Sequence, residues 1–242
     1  MNRILFLALL LVFISSVFAK NADASNTPIF NIFELGVRQG QTITYNEIAS
    51  KNITTSIKSE HGTLGMFSLK QKENPNIAYM IEIYSDSSSY KKHITSPGYH
   101  NFLNNAPLII EENHKRKIDV TPKFLGDKKF TQDNMTINNL VIVDVKPEFN
   151  QSFQNVVVPE MKQSLKVENG VLAMYAVTEK DNPTRWYFYE IYASEDAYQA
   201  HRKTLHFKNY LNQTANMAND KEAIAVVPHL LMNKGGLAFN GD

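Results

Sequence analysis

Residues 168–174 read Glu168-Asn169-Gly170-Val171-Leu172-Ala173-Met174, and residues 60–66 read Glu60-His61-Gly62-Thr63-Leu64-Gly65-Met66. The frame E-x-G-x-L-x-M is the same at a shift of 108 residues, and a fixed long period of this kind marks a repeat architecture. Without a gap, the same shift brings Asn74-Pro75 onto Asn182-Pro183 and Glu82-Ile83-Tyr84 onto Glu190-Ile191-Tyr192. It also brings Tyr90-x-x-His93 onto Tyr198-x-x-His201, and upstream Ile29–Val37 onto Ile137–Val145. From 60 to 103, 15 of 44 positions are identical. A two-residue deletion then sets Thr121-Pro122 opposite Val227-Pro228. The chain is one unit written twice, with copy one at 28–126 and copy two at 134–233.

Each copy reads strand, helix, strand, strand, helix, strand. In copy two the first strand is Leu140–Val145, short and β-branched. A helix follows with Phe149, Phe153, Val156, Val157 and Met161 on one side, and Pro159 is expected to kink it or to begin a second segment. Val171–Val177 and Arg185–Tyr192 are strands joined by the turn-rich run 179–183. Ser194 is a natural N-cap with Glu195 and Asp196 in the first turn. A last strand, Ala223–Val227, is expected to close the unit. This order is the ferredoxin-like split unit, an antiparallel sheet with both helices on one face. The other face is bare. On strand three of copy one, Ile77, Tyr79, Ile81 and Ile83 form a wholly apolar row, so the two sheets are expected to pack face to face as an internal pseudo-dimer. The fold class is therefore α+β, with two tandem βαββαβ units forming an intramolecular dimeric α+β barrel.

The remaining composition is that of an ordinary globular chain: 242 residues, 43% hydrophobic, 20% charged, formal net charge +1 and no cysteine. Near-neutrality gives no electrostatic reason to expect nucleic acid or an anionic membrane. Without cysteine there are no disulfides, thiolate metal sites or thiol nucleophiles. At the N-terminus, Arg3 precedes an apolar run to Ala19, and small residues stand at Val17 and Ala19. That pattern is a secretory signal over 1–19, and it places the protein in the periplasm or outside the cell; the run also admits a retained anchor. No other segment is apolar enough to span a bilayer.

The stretch Tyr187-Phe188-Tyr189-Glu190-Ile191-Tyr192-Ala193-Ser194-Glu195-Asp196-Ala197-Tyr198-Gln199-Ala200-His201, followed by Thr204-Leu205-His206-Phe207, closely resembles the signature of the antibiotic biosynthesis monooxygenase family. There an aromatic strand ends in E-x-Y, and A-[FY]-x-x-H and T/S-P-H-F follow; Glu168-x-Gly170-x-Leu172 is similar to the family's E-x-G-x-L. Members are βαββαβ units that pair into a dimeric α+β barrel, which a fused tandem matches. The resemblance implies one of several activities: cofactor-free oxidation of quinols and phenols, haem degradation, or isomerisation of a phosphorylated sugar. The haem-degrading members use an axial histidine ten residues after a tryptophan standing where His201 stands. Here those positions hold His201 and Leu211, or His93 and Leu103, which disfavours that branch. A phosphorylated substrate fits poorly with export, and no glycine-rich loop or basic cluster suggests a phosphate cradle.

The expected catalytic residues are His201, Glu190 and His206. His201 shares a helical face with Ala197, Tyr198 and Leu205, and an imidazole is the side chain suited to act as a base near neutral pH; the same place also suits a core histidine tied to a backbone carbonyl. Glu190 lies on a strand row with Trp186, Phe188 and Tyr192, where a carboxylate is costly unless protonated, paired or wet. A pair with Arg202 or Lys203 is its bland reading. His206 has Gly98 as its counterpart in copy one. The expected substrate-binding residues are Trp186, Tyr192, Tyr198, His93 and Glu82, the first two as an aromatic wall that could equally be core. Copy one replaces Trp186 with Ala78, which points to copy two as the working half. The histidines lack metal-ligand spacing, and no serine-centred nucleophile motif or dinucleotide fingerprint occurs. No cofactor and no metal are expected.

The function expected on this basis is an exported, cofactor-independent monooxygenase that oxidises a quinol or dihydroxy aromatic with O2. The alternative is a non-catalytic extracytoplasmic module binding an aromatic, lipophilic or haem-like ligand. The expected partners are a small aromatic substrate and O2, with the two halves paired within one chain and room for a higher oligomer.

Overall fold

The computed structural model describes residues 27–241; the signal segment expected at 1–19 lies outside them. Copy one runs β1 (Ile29–Val37), α1 (Thr42–Ser59), β2 (Thr63–Gln71), β3 (Ile77–Tyr84), α2 (Ser87–Ile94), α3 (Pro97–Ile109), β4 (Ile110–Ile118) and β5 (Val120–Asp127). Copy two runs β6 (Ile137–Val145), a 3-10 turn (Pro147–Phe149), α4 (Asn150–Val167), β7 (Val171–Glu179), β8 (Arg185–Tyr192), α5 (Glu195–Lys203), α6 (Leu205–Thr214), β9 (Ala218–Ile224), β10 (Val226–Asn233) and β11 (Ala238–Asn240). Each second helix is split, and side chains cap each piece. Asp86 and Ser194 accept from the backbone N–H of Ser89 and Ala197, and Ser96 and Thr204 accept from Tyr99 and Phe207. These caps turn the chain between the pieces and carry position 206 back toward the sheet.

Of the two outcomes expected at Pro159, no second segment begins there: α4 is one helix through the proline. Phe153, Val157 and Met161 are buried on the sheet on both sides of the proline, and that burial outweighs the loss of one backbone bond. Copy two is also not closed by a strand at 223–227. β9 ends at Ile224 and a new strand begins at Val226. That strand leaves its own sheet.

The sheet orders are β10-β2-β3-β1-β4 and β11-β5-β7-β8-β6-β9. Each copy therefore builds the four strands of a split unit and lends a further strand to the other copy's sheet. Val227 pairs with Lys70, and Thr121 pairs with Thr178 at the equivalent register. In both lent strands the register shifts just after the proline, at Pro228 and at Pro122. Proline, which cannot donate to a ladder, is tolerated at such a bulge.

Between the sheets the apolar rows meet as expected. Tyr79, Ile81 and Ile83 from one sheet and Tyr187, Tyr189 and Ile191 from the other belong to one buried cluster. Phe67 lies 5.8 Å from Tyr175 and 5.4 Å from Tyr189, ring centre to ring centre. The helices cover the outer faces through two further clusters, centred on Phe153, Val157, Met161 and Trp186 in copy two and on Tyr45, Ala49 and Ile53 in copy one. The glycine of E-x-G-x-L has a packing cause. A Cβ on Gly170 would lie 2.5 Å from Ala197 Cβ, and one on Gly62 would lie 1.9 Å from Ser89 Oγ. Only glycine lets the second helix start so close to the strand. Among the described residues no helix is long and apolar enough to cross a membrane.

Candidate functional site

Copy two holds a cleft of about 360 Å³ between its sheet and its helices. Its floor is Asn139, Val141 and Val143 of β6, Phe188 and Glu190 of β8, and Ala223 of β9. Its roof is Val157, Glu160 and Met161 of α4 with Tyr198, Phe207 and Tyr210. Lys72, from the β2–β3 turn of copy one, reaches its edge. It does so because β10 pairs with β2, and Lys72 N–H bonds to Ala225 O at 2.8 Å. A second cleft, about 560 Å³, opens between residues 129–134 and β10. Its carboxylate, Asp133, is occupied by Met135 N–H, Thr136 N–H and the Thr136 hydroxyl, so acid–base chemistry points to the first.

Two carboxylates face the first cleft. Glu190 Oε2 accepts the Tyr192 hydroxyl at 2.8 Å. No ion pair with Arg202 or Lys203 forms among the described residues. Glu160 is 8% exposed, and its Oε1 accepts the Ser164 hydroxyl at 2.8 Å. Burial pushes the Glu160 carboxyl up to about 7, the negative charges of Glu190 and Glu168 add to the rise, and the Ser164 bond only partly offsets it. At neutral pH Glu160 is thus divided between acid and base forms, the condition for moving protons efficiently.

Behind Glu160 lies a polar chain. His201, 1% exposed, directs Nε2 toward Glu160 Oε1 at 4.0 Å and Nδ1 to Glu168 Oε1 at 3.0 Å. His206 Nε2 meets the same Glu168 oxygen at 2.7 Å. Burial works against the charge on Glu168, but hydrogen bonds from His201 and His206 outweigh it and hold the carboxyl below its usual value. Glu168 is therefore the acceptor, and the histidine nitrogens facing it donate. One donor atom each from Glu160, His201 and His206 lies within 4.8 Å of the others. His201 and His206 are joined through Glu168 by N–H···O bonds of ordinary length, and Glu160 stands 4.0 Å from His201.

Of the residues expected to act, Glu190 and Tyr198 line the cleft, whereas His201 and His206 stand one layer behind Glu160. Trp186 and Tyr192 are fully buried in the core beneath the cleft. Trp186 stacks on Phe188 (5.8 Å, 9°), and its Nε1–H donates to Asn150 Oδ1 at 2.8 Å. Tyr187 and Tyr189, which alternate with Trp186 and Phe188 on β8, face the other sheet. His93 and Glu82 occupy the equivalent places in copy one, far from this cleft in the fold. His93 Nδ1 meets Glu60 at 3.0 Å and Tyr84 donates to Glu82 at 2.8 Å. The residue not anticipated is Glu160. A signal existed: Val157, Glu160, Met161 and Ser164 stand at i, i+3, i+4 and i+7 of one inward helical stripe, and a glutamate inside such a stripe is costly without a reason.

A model of the antibiotic biosynthesis monooxygenase family matches the chain twice, at residues 28–105 and 137–213. The chain belongs to the antibiotic biosynthesis monooxygenase family. As a tandem family member it is similar over nearly its whole length to a candidate monooxygenase from Lactobacillus acidophilus NCFM. That match has 31% identity and a TM-score of 0.83, and covers 88% of this chain and 100% of the other. A candidate monooxygenase from Fusobacterium nucleatum subsp. nucleatum ATCC 25586 matches at 26% identity and a TM-score of 0.83, covering 89% and 98%. An anthrone oxidase-like protein shares the fold alone, at 9% identity and a TM-score of 0.52 over 88% of this chain and 96% of that one. No curated protein matches.

Proposed function

We propose that this tandem family member is an exported oxygenase that oxidises a quinol or related dihydroxy aromatic with O2 in the copy-two cleft. The observation carrying this reading is the pairing of two carboxylates, Glu160 and Glu190, with an aromatic wall of Phe188, Tyr198, Phe207 and Tyr210 in one cleft. A planar ring fits such a wall, and a hydroxyl on it meets a proton acceptor. Export rests on the pattern of residues 1–19.

The chemistry needs a base and a dry place. A carboxylate takes the hydroxyl proton, and the electron-rich anion gives one electron to O2. The substrate radical and superoxide then join in a new C–O bond. Loss of water from the resulting peroxide leaves a carbonyl, so that one oxygen atom enters the product and the other leaves as water. The enclosing apolar side chains keep the radical pair from solvent. In this reading Glu160 and Glu190 are the proton acceptors, and the base role first assigned to His201 passes to Glu160, which His201 serves. Tyr192 holds Glu190 in place.

The test is oxygen uptake by metal-free, flavin-free protein with a panel of reduced quinols and naphthols, corrected for autoxidation. Protein-dependent uptake that falls in Glu160→Gln and Glu190→Gln supports the reading. Binding of the same compounds without uptake replaces it by the non-catalytic module.

A further inference from the structure

Four ionisable side chains, Glu160, His201, Glu168 and His206, cluster between the cleft and the surface, and the two copies differ at two of them. Copy one keeps the middle, with Glu60 and His93 at 3.0 Å and Ser56 beside them. At the position of Glu160 it has Asn52, and at that of His206 it has Gly98. Those positions adjoin in copy one as well, since a Cβ on Gly98 would lie 3.3 Å from Asn52 Oδ1. A structural Glu–His pair is thus common to both halves. Only the half with the two-carboxylate cleft adds a titratable group at each end of the pair.

We propose that His201, Glu168 and His206 are a proton outlet for Glu160, carrying protons from the copy-two cleft to solvent. The proposal rests on the reading of the cleft as a site of proton transfer. It accounts for two features. His201 is 1% exposed yet has its Nε2 turned toward Glu160, while its Nδ1–H is held by Glu168. His206 is 22% exposed in its side chain, so the chain ends at water. The other groups facing Glu160 are Ser164 on its own helix, Glu190 and Tyr192 from β8, and Tyr210 from α6. Both tyrosines hold their protons, pushed up by burial, which leaves the two histidines, His201 and His206, as the exit.

The transfer balances without any further reactant. A proton taken up by Glu160 passes to His201 Nε2 after the carboxyl closes the 4.0 Å gap by a small rotation. His201 releases its Nδ1 proton to Glu168 Oε1. His206, which at rest donates its Nε2–H to Glu168, accepts this proton only after turning to the tautomer with Nε2 free, and its Nδ1 proton then leaves to water. His201 and Glu168 end as they began except for the position of the ring proton, which a reverse tautomer shift restores. These three are positioning and relay residues, since none touches the cleft.

His206→Gln separates relay from structure, because the amide can still donate to Glu168 but cannot pass a proton on. The readout is the carboxylic C=O infrared band of Glu160, identified by its loss in Glu160→Gln, followed after rapid transfer of metal-free protein into D2O at the pH where Glu160 is half protonated. The proposal expects the band to shift on the order of tenfold more slowly in His206→Gln than in wild type, with speed restored by added imidazole and thermal stability unchanged. If the band shifts equally fast in both, the outlet is overturned, and protons reach Glu160 through the cleft. Stoichiometric Zn2+ uptake by the wild type, lost in both variants, would also overturn it, making the cluster a metal site. The band experiment needs no turnover, so failure of the outlet is distinguishable from failure of the oxygenase reading, which oxygen uptake alone decides.

Discussion

His206 meets Glu168 across 2.7 Å through an oxygen that also receives His201, whereas copy one has Gly98 where His206 stands. Both halves keep the fold, and only copy two carries Glu160 and His206. The shared Glu–His pair lies where the E-x-G-x-L entry to a strand faces the second helix. It ties the end of the first helix to the second in either copy. The added Glu160 and His206 turn that tie into a cluster of titratable groups beside an open cleft.

Glu160 makes folding stability depend on pH. In the unfolded chain it loses its proton near 4.5, as an ordinary glutamate does, and in the folded protein at about 7. Between these values the folded state binds more protons, so stability is fully present below about 4.5 and falls as pH rises toward 7. The loss reaches up to about 3 kcal/mol. Urea unfolding of wild type and Glu160→Gln at pH 4.5 and pH 8 checks this: the variant is expected to lack that share of the decline. An unchanged slope would contradict the assigned environment.

Trp186, the only tryptophan of the chain, reports on the cleft. It stacks on Phe188, whose side chain lines the cleft, and packs against Phe153. A hydroxyaromatic bound in copy two is expected to quench or shift its emission with saturation at one ligand per chain. Saturation at two ligands would show a working site in copy one as well.

The crossed strands make the two halves depend on each other. Residues 27–127 include β5, which pairs with β7, and the second half includes β10, which pairs with β2. Expressed apart, each half leaves a sheet edge unpaired and the inter-sheet face exposed. Neither is expected to unfold cooperatively alone, and mixing them is expected to restore the native circular dichroism and a single transition. Two independently folded halves would contradict the exchange.

Ile81 tests the inter-sheet core. It is fully buried between the sheets, and Ile81→Ala is expected to cost about 2–5 kcal/mol. Because it lies on the face opposite the copy-one helices and away from the copy-two cleft, ligand affinity is expected to hold at temperatures where the variant remains folded.

Much of this was legible in the sequence because repetition and alternation are local signals. The 108-residue shift, the Ser194 cap and the apolar row Ile77-Tyr79-Ile81-Ile83 each act over a few residues, and each reappears in the fold. The strand exchange was not legible. Val226–Asn233 reads as an ordinary strand, and whether it pairs with its own sheet or its neighbour's is decided by edges that only assemble in three dimensions. The same limit applies to the site. His201 and Glu190 stand out in a motif, but the motif does not say that His201 is screened from the cleft by a glutamate 41 residues earlier. At Pro159 the sheet beneath α4, and not the helix itself, decides that no second segment begins.

Isotope tracing tests the central claim most directly. Metal-free, flavin-free protein is given a reduced quinol or naphthol under 18O2, and the label in product and water is measured for wild type and for the double variant Glu160→Gln/Glu190→Gln. The account predicts one labelled oxygen in the product and one in water, with the rate falling on the order of 100-fold or more in the double variant. Product with no label above the autoxidation background, or equal labelling by wild type and double variant, would contradict it.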